Sequence, residues 1–226
     1  MDFEYRTMNE TQIQTSIDRY FRSASEKLVS AKAVKAYADT YVGASFNPYA
    51  LLAPNEVAFS RILADLLDPK GSHAQGDKFL NLFIEIFNKD FKRETKNHSV
   101  NVKCETSTDK SRRIDILIEF GNNIAIAIEN KPWAKEQNNQ LDDYAYYLIN
   151  RYDKFYLLFL YGSSIEQRTL SAHKKELDII NSFHEIPIIG REKSISNWVR
   201  NCAQNSTSKK VQLYLEDFYE WIEGVC

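Results

Sequence analysis

The chain has 226 residues, 43% of them hydrophobic, and a formal charge of −2. That is enough to bury one substantial core, and too near neutral for global charge to draw in a nucleic acid, so such a partner needs a local basic patch or a bound cation. The three scattered cysteines (Cys104, Cys202 and Cys226) suggest neither a disulfide framework nor a zinc site.

Free thiols fit a reducing cytosol. The polar, acidic N-terminus lacks the apolar run of a signal peptide, and no stretch approaches the roughly 20 apolar residues that a membrane helix needs. A soluble cytoplasmic protein without a membrane partner is the expectation. The first forty residues read as amphipathic helix with one or two breaks, since Ile13, Ile17, Tyr20 and Phe21, then Leu28, Ala31, Val34 and Tyr37, recur at helical spacing. Residues 43–48 read as a loop. A second helix is predicted from about Pro54, a first-turn residue by preference, with Val57, Ile62, Leu63, Leu66 and Leu67 as its buried stripe. Asp68-Pro69 ends it, and KGSHAQG follows as a loop. A third helix carries Phe79, Leu82, Phe83, Ile86 and Phe87.

The period then changes. Residues 100–105 alternate as a strand, 113–120 form a second, and 124–129 a third. Gly121-Asn122-Asn123 between the last two predicts an antiparallel hairpin. Residues 133–150 read as helix. Residues 155–161 are continuously apolar, as in a strand covered on both faces. Weaker patterns predict a helix over 172–181 and a short strand over 186–189. Two helices close the chain, over 194–203 and 209–223. The order argues for a mixed sheet with helices on both faces.

Along the second strand, alternation sets Ile114, Ile116 and Ile118 on one face and Asp115, Leu117 and Glu119 on the other. In the third, Ala125, Ala127, Glu129 and Lys131 share a face, with Glu129 and Lys131 about 6–7 Å apart. The hairpin brings Asp115 beside Glu129. Two converging carboxylates suit a hard cation such as Mg²⁺, with the carbonyl of Asn130 as a third oxygen. Such a cation polarises a phosphate oxygen and activates a water, and Lys131 beside it offers charge to a phosphorane. The same three residue types also occur as a solvated ion pair and a turn cap. Apolar flanks on both sides favour a built site, because unpaired charge beside buried surface is costly.

Asp115 in RRIDILIEF, followed by Glu129-Asn130-Lys131 in IAIENKPW, resembles the PD-(D/E)XK nuclease superfamily, although Ile114 stands where the family name has proline. The segments NEVAFSRILADLLDPKGSHAQGDKFL, CETSTDKSRRIDILIE and IENKPWAKEQNNQLDDY resemble a bacterial and phage branch over most of residues 54–148. The resemblance implies an α/β, restriction-endonuclease-like mixed sheet with an α-β-β-β-α-β core, flanked by helices and carrying helical additions at both ends. It implies a single domain, with an N-terminal helical extension over 1–45, a catalytic core over 54–190 and C-terminal helices over 193–226. It assigns Asp115 and Glu129 as metal ligands with Asn130 between them, Glu56 as an assisting acidic ligand, Lys131 as the catalytic lysine, and Gln140 and Tyr144 as a Q-x-x-x-Y pair lining the site. Glu56 otherwise reads as an exposed first-turn glutamate, and Gln140 and Tyr144 as helix-surface residues one turn apart.

The implied activity is a Mg²⁺-dependent nuclease, Mn²⁺ substituting, most readily on DNA, in restriction, phage defence or repair. The alternatives are an RNA nuclease and a non-catalytic nucleic-acid binder or assembly subunit. Glu105, Arg113 and His73 are weaker candidates for substrate contact, as is Arg112; Glu105 and the arginines also read as mutual salt bridges, and His73 as a solvated loop histidine. Trp133 could stack a base or join the core. The near-neutral charge makes a homodimer or a partner protein an expected source of further contacts.

Overall fold

The computed structural model describes residues 10–41, 43, 45–88, 91, 95, 98–108, 112–121, 123–133, 139–162 and 182–226. The helix predicted over 172–181, and the start of the one predicted from residue 133, lie outside these residues. The chain falls into two compact units, Met1–Asn47 and Pro48–Cys226. Among its described residues the first holds one helix, α1 (Glu10–Tyr41), which runs without the expected break. Nothing in its sequence stops it: no Gly or Pro falls between residues 10 and 41.

The second unit holds a five-stranded sheet in the order β1-β2-β3-β4-β5. It opens with a short helix, α2 (Pro48–Leu52), partly inside the segment expected as loop, followed by α3 (Glu56–Leu67) and α4 (Lys78–Phe87). The start of α3 is set by Asn55, whose side chain accepts the Ala58 N–H at 2.9 Å, a capping bond that satisfies one of the orphan donors of the first turn. The strands β1 (Val100–Ser107), β2 (Arg113–Phe120) and β3 (Ile124–Lys131) form an antiparallel meander. Gly121 turns the hairpin with a positive φ of 62°, a conformation that costs glycine nothing. Next come α5 (Gln140–Ile149), β4 (Lys154–Tyr161) and β5 (Phe183–Pro187), with β4 parallel to β3 and β5 parallel to β4. The chain closes with α6 (Ile195–Asn205) and α7 (Lys209–Val225).

Alternation explains the two layers. Ile116, Ile118, Ile126, Ile128, Leu158 and Leu160 pack against α3, α4, α6 and α7. Leu117, Ala125, Ala127, Leu157 and Phe159 pack against α5. The small alanines on that face let the aromatic-rich α5 lie close. This is the mixed α/β architecture of restriction-endonuclease-like folds, with helices at both ends of the chain.

One strand departs from the expected pleat. Ile114 is buried with Leu117 on the α5 side, not with Ile116 and Ile118 as strict alternation requires. The β1–β2 ladder pairs Cys104 with Ile116 and Thr106 with Ile114 but omits Glu105 and Asp115. Glu105 sits at a φ of 49°, which breaks the pleat of β1, and β2 yields opposite it. Asp115 lies at this break.

Candidate active site

The candidate residues gather where β3 ends. Pairing of β2 with β3 stops at Ile116–Ile128. Beyond that point the Asp115 carboxylate replaces the next ladder acceptor and receives the Asn130 N–H at 2.8 Å. The pleat break at Asp115 thus turns its carboxylate toward β3. Because N–H and C=O of one strand residue face the same neighbour, the Asn130 carbonyl leaves on the same side as that bond.

Glu129 is wholly buried, and neither of its carboxylate oxygens has a hydrogen-bond partner. The Lys131 ammonium lies 2.7 Å from Oε1 as an ion pair, without the alignment of a hydrogen bond. Burial first, and then the neighbouring Asp115 charge, push the Glu129 carboxyl up to about 8. Burial also raises Asp115, against the lowering effect of the Asn130 N–H. Two carboxylates that oppose each other's ionisation in a dry place are short of positive charge. For Lys131, burial alone would lower the ammonium, but Glu129 and Glu56 outweigh it and raise it, so it stays a cation.

Helix α3 supplies two more contacts. Glu56, its first residue, accepts from Lys131 Nζ at 2.6 Å. One turn later, the Ser60 hydroxyl accepts from the Asn130 side-chain amide at 3.0 Å, leaving the buried Asn130 Oδ1 unpartnered. Ser60 carried no chemical signal in the sequence beyond its place one turn after Glu56. From α5, Tyr144 donates its hydroxyl hydrogen to the Arg113 carbonyl and accepts from Gln140 Nε2 at 2.8 Å. Burial and then the Glu129 charge raise its hydroxyl, so it remains a donor. This chain of bonds holds the start of β2, two residues before Asp115.

The other sequence candidates lie elsewhere. His73 is buried in the loop after α3, a helix length of about 16 Å from Glu56. Its Nδ1 accepts the Gln75 N–H, its Nε2 donates to the Asp68 carbonyl at 3.0 Å, and its ring packs on Phe79. It holds the loop and offers nothing to a substrate. Glu105 and Arg113 form an outlying ion pair at 3.8 Å, and Arg112 pairs with Asp143 at 3.2 Å. Trp133 packs among Phe59 and Trp221 and donates its indole N–H to the Val225 carbonyl at 2.9 Å.

A basic pocket went unnoticed in the sequence. Behind the C-terminal end of β5, a cavity of about 450 Å³ is lined by Arg191, Asn197, Arg200, Tyr219 and Glu223. Arg200 stacks over Tyr219 at 5.8 Å. Among the described residues no carboxylate forms an ion pair with either guanidinium. Because β3, β4 and β5 are parallel, their C-terminal ends share one edge of the sheet, and the segment that follows β5 there supplies Arg191 to the pocket.

Among the described residues, no three Asp, Glu, His or Cys side chains converge tightly enough to hold a metal ion by themselves. The reason is local: the Lys131 ammonium stands between Glu56 and Glu129, so Glu56 serves the lysine. The set that fits a hard cation is smaller: Asp115, the Glu129 carboxylate, whose oxygens accept no hydrogen bond, and the Asn130 carbonyl. All are oxygen donors, as a hard divalent ion prefers.

Comparison with known proteins supplies one finding. A family model of the PD-(D/E)XK nuclease superfamily matches residues 46–220. No curated protein and no solved structure matches the chain.

Proposed function

This chain belongs to the PD-(D/E)XK nuclease superfamily, and from that premise we propose that it is a divalent-metal-dependent nuclease, probing DNA as its first substrate class, with its reaction centre at the end of β3. Superfamily membership carries nuclease chemistry in general terms. The finer reading rests on Glu129: a carboxylate kept fully buried, with neither oxygen hydrogen-bonded and only Oε1 ion-paired, to Lys131, beside a second carboxylate. Burying such a group is costly unless something compensates it. A divalent cation would do so.

In this reading Asp115, Glu129 and the Asn130 carbonyl hold Mg²⁺, with Mn²⁺ able to substitute. The cation, when bound, supplies Lewis acidity toward a phosphate oxygen and lowers the pKa of a bound water. The remaining work falls to the chain. Lys131, fixed between Glu56 and Glu129, presents a permanent positive charge where the phosphate's negative charge grows. Glu56 sets the height of that ammonium above β3. Ser60 fixes Asn130 from below, and Tyr144 with Gln140 fixes β2 at Arg113, so Asp115 meets Glu129 without a search. Arg191 and Arg200 offer two unneutralised guanidiniums for the flanking backbone, where phosphate contacts position a strand without reading its bases.

The test is cleavage of plasmid, single-stranded DNA and RNA in Mg²⁺, Mn²⁺ or EDTA. Wild type is expected to cut with metal and not in EDTA. Asp115→Ala and Lys131→Ala are each expected to lower the rate by about 10²-fold or more. Activity that survives both substitutions would overturn the reading. Cleavage confined to RNA would replace the substrate while keeping the chemistry.

A further inference from the structure

Helix α1 is 32 residues long, about 48 Å at 1.5 Å per residue, and it exposes a large amount of apolar surface. Ile13, Ile17, Tyr20, Val34 and Tyr41 are all solvent-exposed, Tyr20 at 71% and Tyr41 at 74%. These residues are not scattered. From Ile13 to Tyr41 they fall on alternating steps of four and three residues, the 3.5-residue repeat of a coiled-coil seam, sustained over four heptads. One seam position is taken by Ile13, Tyr20, Lys27, Val34 and Tyr41. The other is taken by Ile17, Ala24, Ala31 and Ala38. Lys27 is the single charged member. An exposed helix this apolar on one seam gains little from propensity alone and draws its stability from a partner.

We propose that α1 pairs with α1 of a second copy as an antiparallel coiled coil, making the protein a homodimer. The seam is complementary to itself when reversed. In the antiparallel register with the greatest overlap, Tyr20 meets Ala31 of the second copy, Ile13 meets Ala38, Lys27 meets Ala24, and the β-branched Ile17 and Val34 meet each other. Each of these layers but the last sets a long side chain against an alanine, so they have similar total volume and the helices can approach evenly, while Tyr41 at the end of the overlap meets Glu10. Lys27 can lay its stem over Ala24 and keep its ammonium in water. A parallel pair would do the opposite. It would stack Tyr20 on Tyr20 and alanine on alanine, and would face two Lys27 ammoniums across the seam, where like charges repel. On the flanks, Phe21 and Leu28, exposed at 66% and 56%, extend the apolar surface on one side. Ser16, Ser23 and Ser30 keep the other side slim as far as Tyr37, which is 65% exposed there near the helix end. The seam's own pattern of sizes and its one charge therefore choose both the partner and the direction.

The full-length protein tests this by sedimentation and by distance measurement. Wild type is expected to sediment as a dimer. Ala31→Asp and Val34→Asp, within the seam, are expected to weaken the dimer tenfold or more. Val29→Asp, exposed but on the opposite side of the helix, is expected to leave it intact. A wild type that is monomeric, or a dimer lost as readily with Val29→Asp, would overturn the proposal. Direction is read from nitroxide labels at Thr15→Cys in a Cys104→Ser, Cys226→Ser background. Antiparallel pairing sets the labels about 30 Å or more apart, whereas parallel pairing brings them within roughly 20 Å. The short distance would overturn the antiparallel arrangement.

Discussion

At the scale of single residues, the centre works against the stability of its own fold. Glu129 is buried without hydrogen bonds, and burial, then the Asp115 charge, raise its proton affinity. Glutamine at this position keeps the volume and removes the charge, so Glu129→Gln is expected to leave the metal-free protein as stable or more stable by about 1 kcal/mol, while cleavage falls about 10²-fold or more. Thermal melting beside a cleavage assay separates the two; a variant that fails to fold would mean the Lys131 pair holds the strand end together. Glu119 shows the opposite logic. Burial alone would raise its carboxyl, but the hydrogen bonds from Lys103 and Tyr152 outweigh that and hold it below its ordinary value of 4.5. Folding thus favours the ionised form. Its stabilisation is complete above the unfolded carboxyl's pKa and is lost as pH falls through the lower folded value. Glu119→Gln is expected to flatten the decline of Tm between about pH 6 and about pH 3, measured by calorimetry. Period-two alternation put Glu129 and Lys131 on one face at the end of an apolar strand, which fits an ion pair as well as a cation site; the resemblance of the flanking segments, not alternation, singled out Asp115, which sits where the pleat breaks. The use of Glu56 by Lys131 was not legible in the sequence, since a contact across 75 positions depends on where α3 docks.

At the scale of elements, the site depends on how closely β3 and β4 end together. The Gly162 N–H donates to the Lys131 carbonyl at 3.2 Å, and a Cβ on Gly162 would fall 2.0 Å from the Pro132 carbonyl oxygen. The clash is with backbone rather than with a movable side chain, and the Gly162–Lys131 bond ties the two strand ends together. Gly162→Ala is expected to cost about 1–3 kcal/mol of stability and to lower cleavage further than the folded fraction accounts for, because Pro132 adjoins Lys131. Equal losses in a melt and in an assay normalised to folded protein would refute the positioning role. Asn55→Ala is a milder probe of the same kind. Losing the cap is expected to cost about 1 kcal/mol and to loosen Glu56, with a lower rate at unchanged substrate affinity. Most elements were readable from periodicity, β2 to its end residues. The failures have causes. The pleat break at Asp115 follows from the left-handed backbone of Glu105, which no residue type announces, since glutamate is not a residue that seeks positive φ. His73 looked available because its sequence neighbours are polar, but the loop folds it under onto Phe79.

At the scale of the whole molecule, a chain of charge −2 has to hold a polyanion by local means. If the Arg191 and Arg200 pocket meets the backbone, Arg191→Ala and Arg200→Ala should each weaken binding to a similar degree on unrelated sequences. Each should also reduce the slope of log K against log salt by about 1. A salt titration by fluorescence anisotropy in Ca²⁺ or EDTA reads this without turnover; unchanged slopes would remove the pocket from the binding surface. Such a pocket is hidden in a sequence because its arginines stand alone in α6 and the loop before it, while the tyrosine and glutamate opposite come from α7. Among the described residues no helix is long and apolar enough to cross a membrane. The bond from Trp133 to Val225 has a practical consequence. Trp133 stands two residues beyond Lys131, is 41% exposed, and lies 5.8 Å from Trp221, whereas Trp198 is sealed in the core. Its emission therefore responds to changes at the strand end, over a background from Trp198 that its burial shields from solvent. Substituting Trp221 with phenylalanine would leave an intrinsic optical gauge, read without any label, of whether the end of β3 tightens when an ion or a strand arrives.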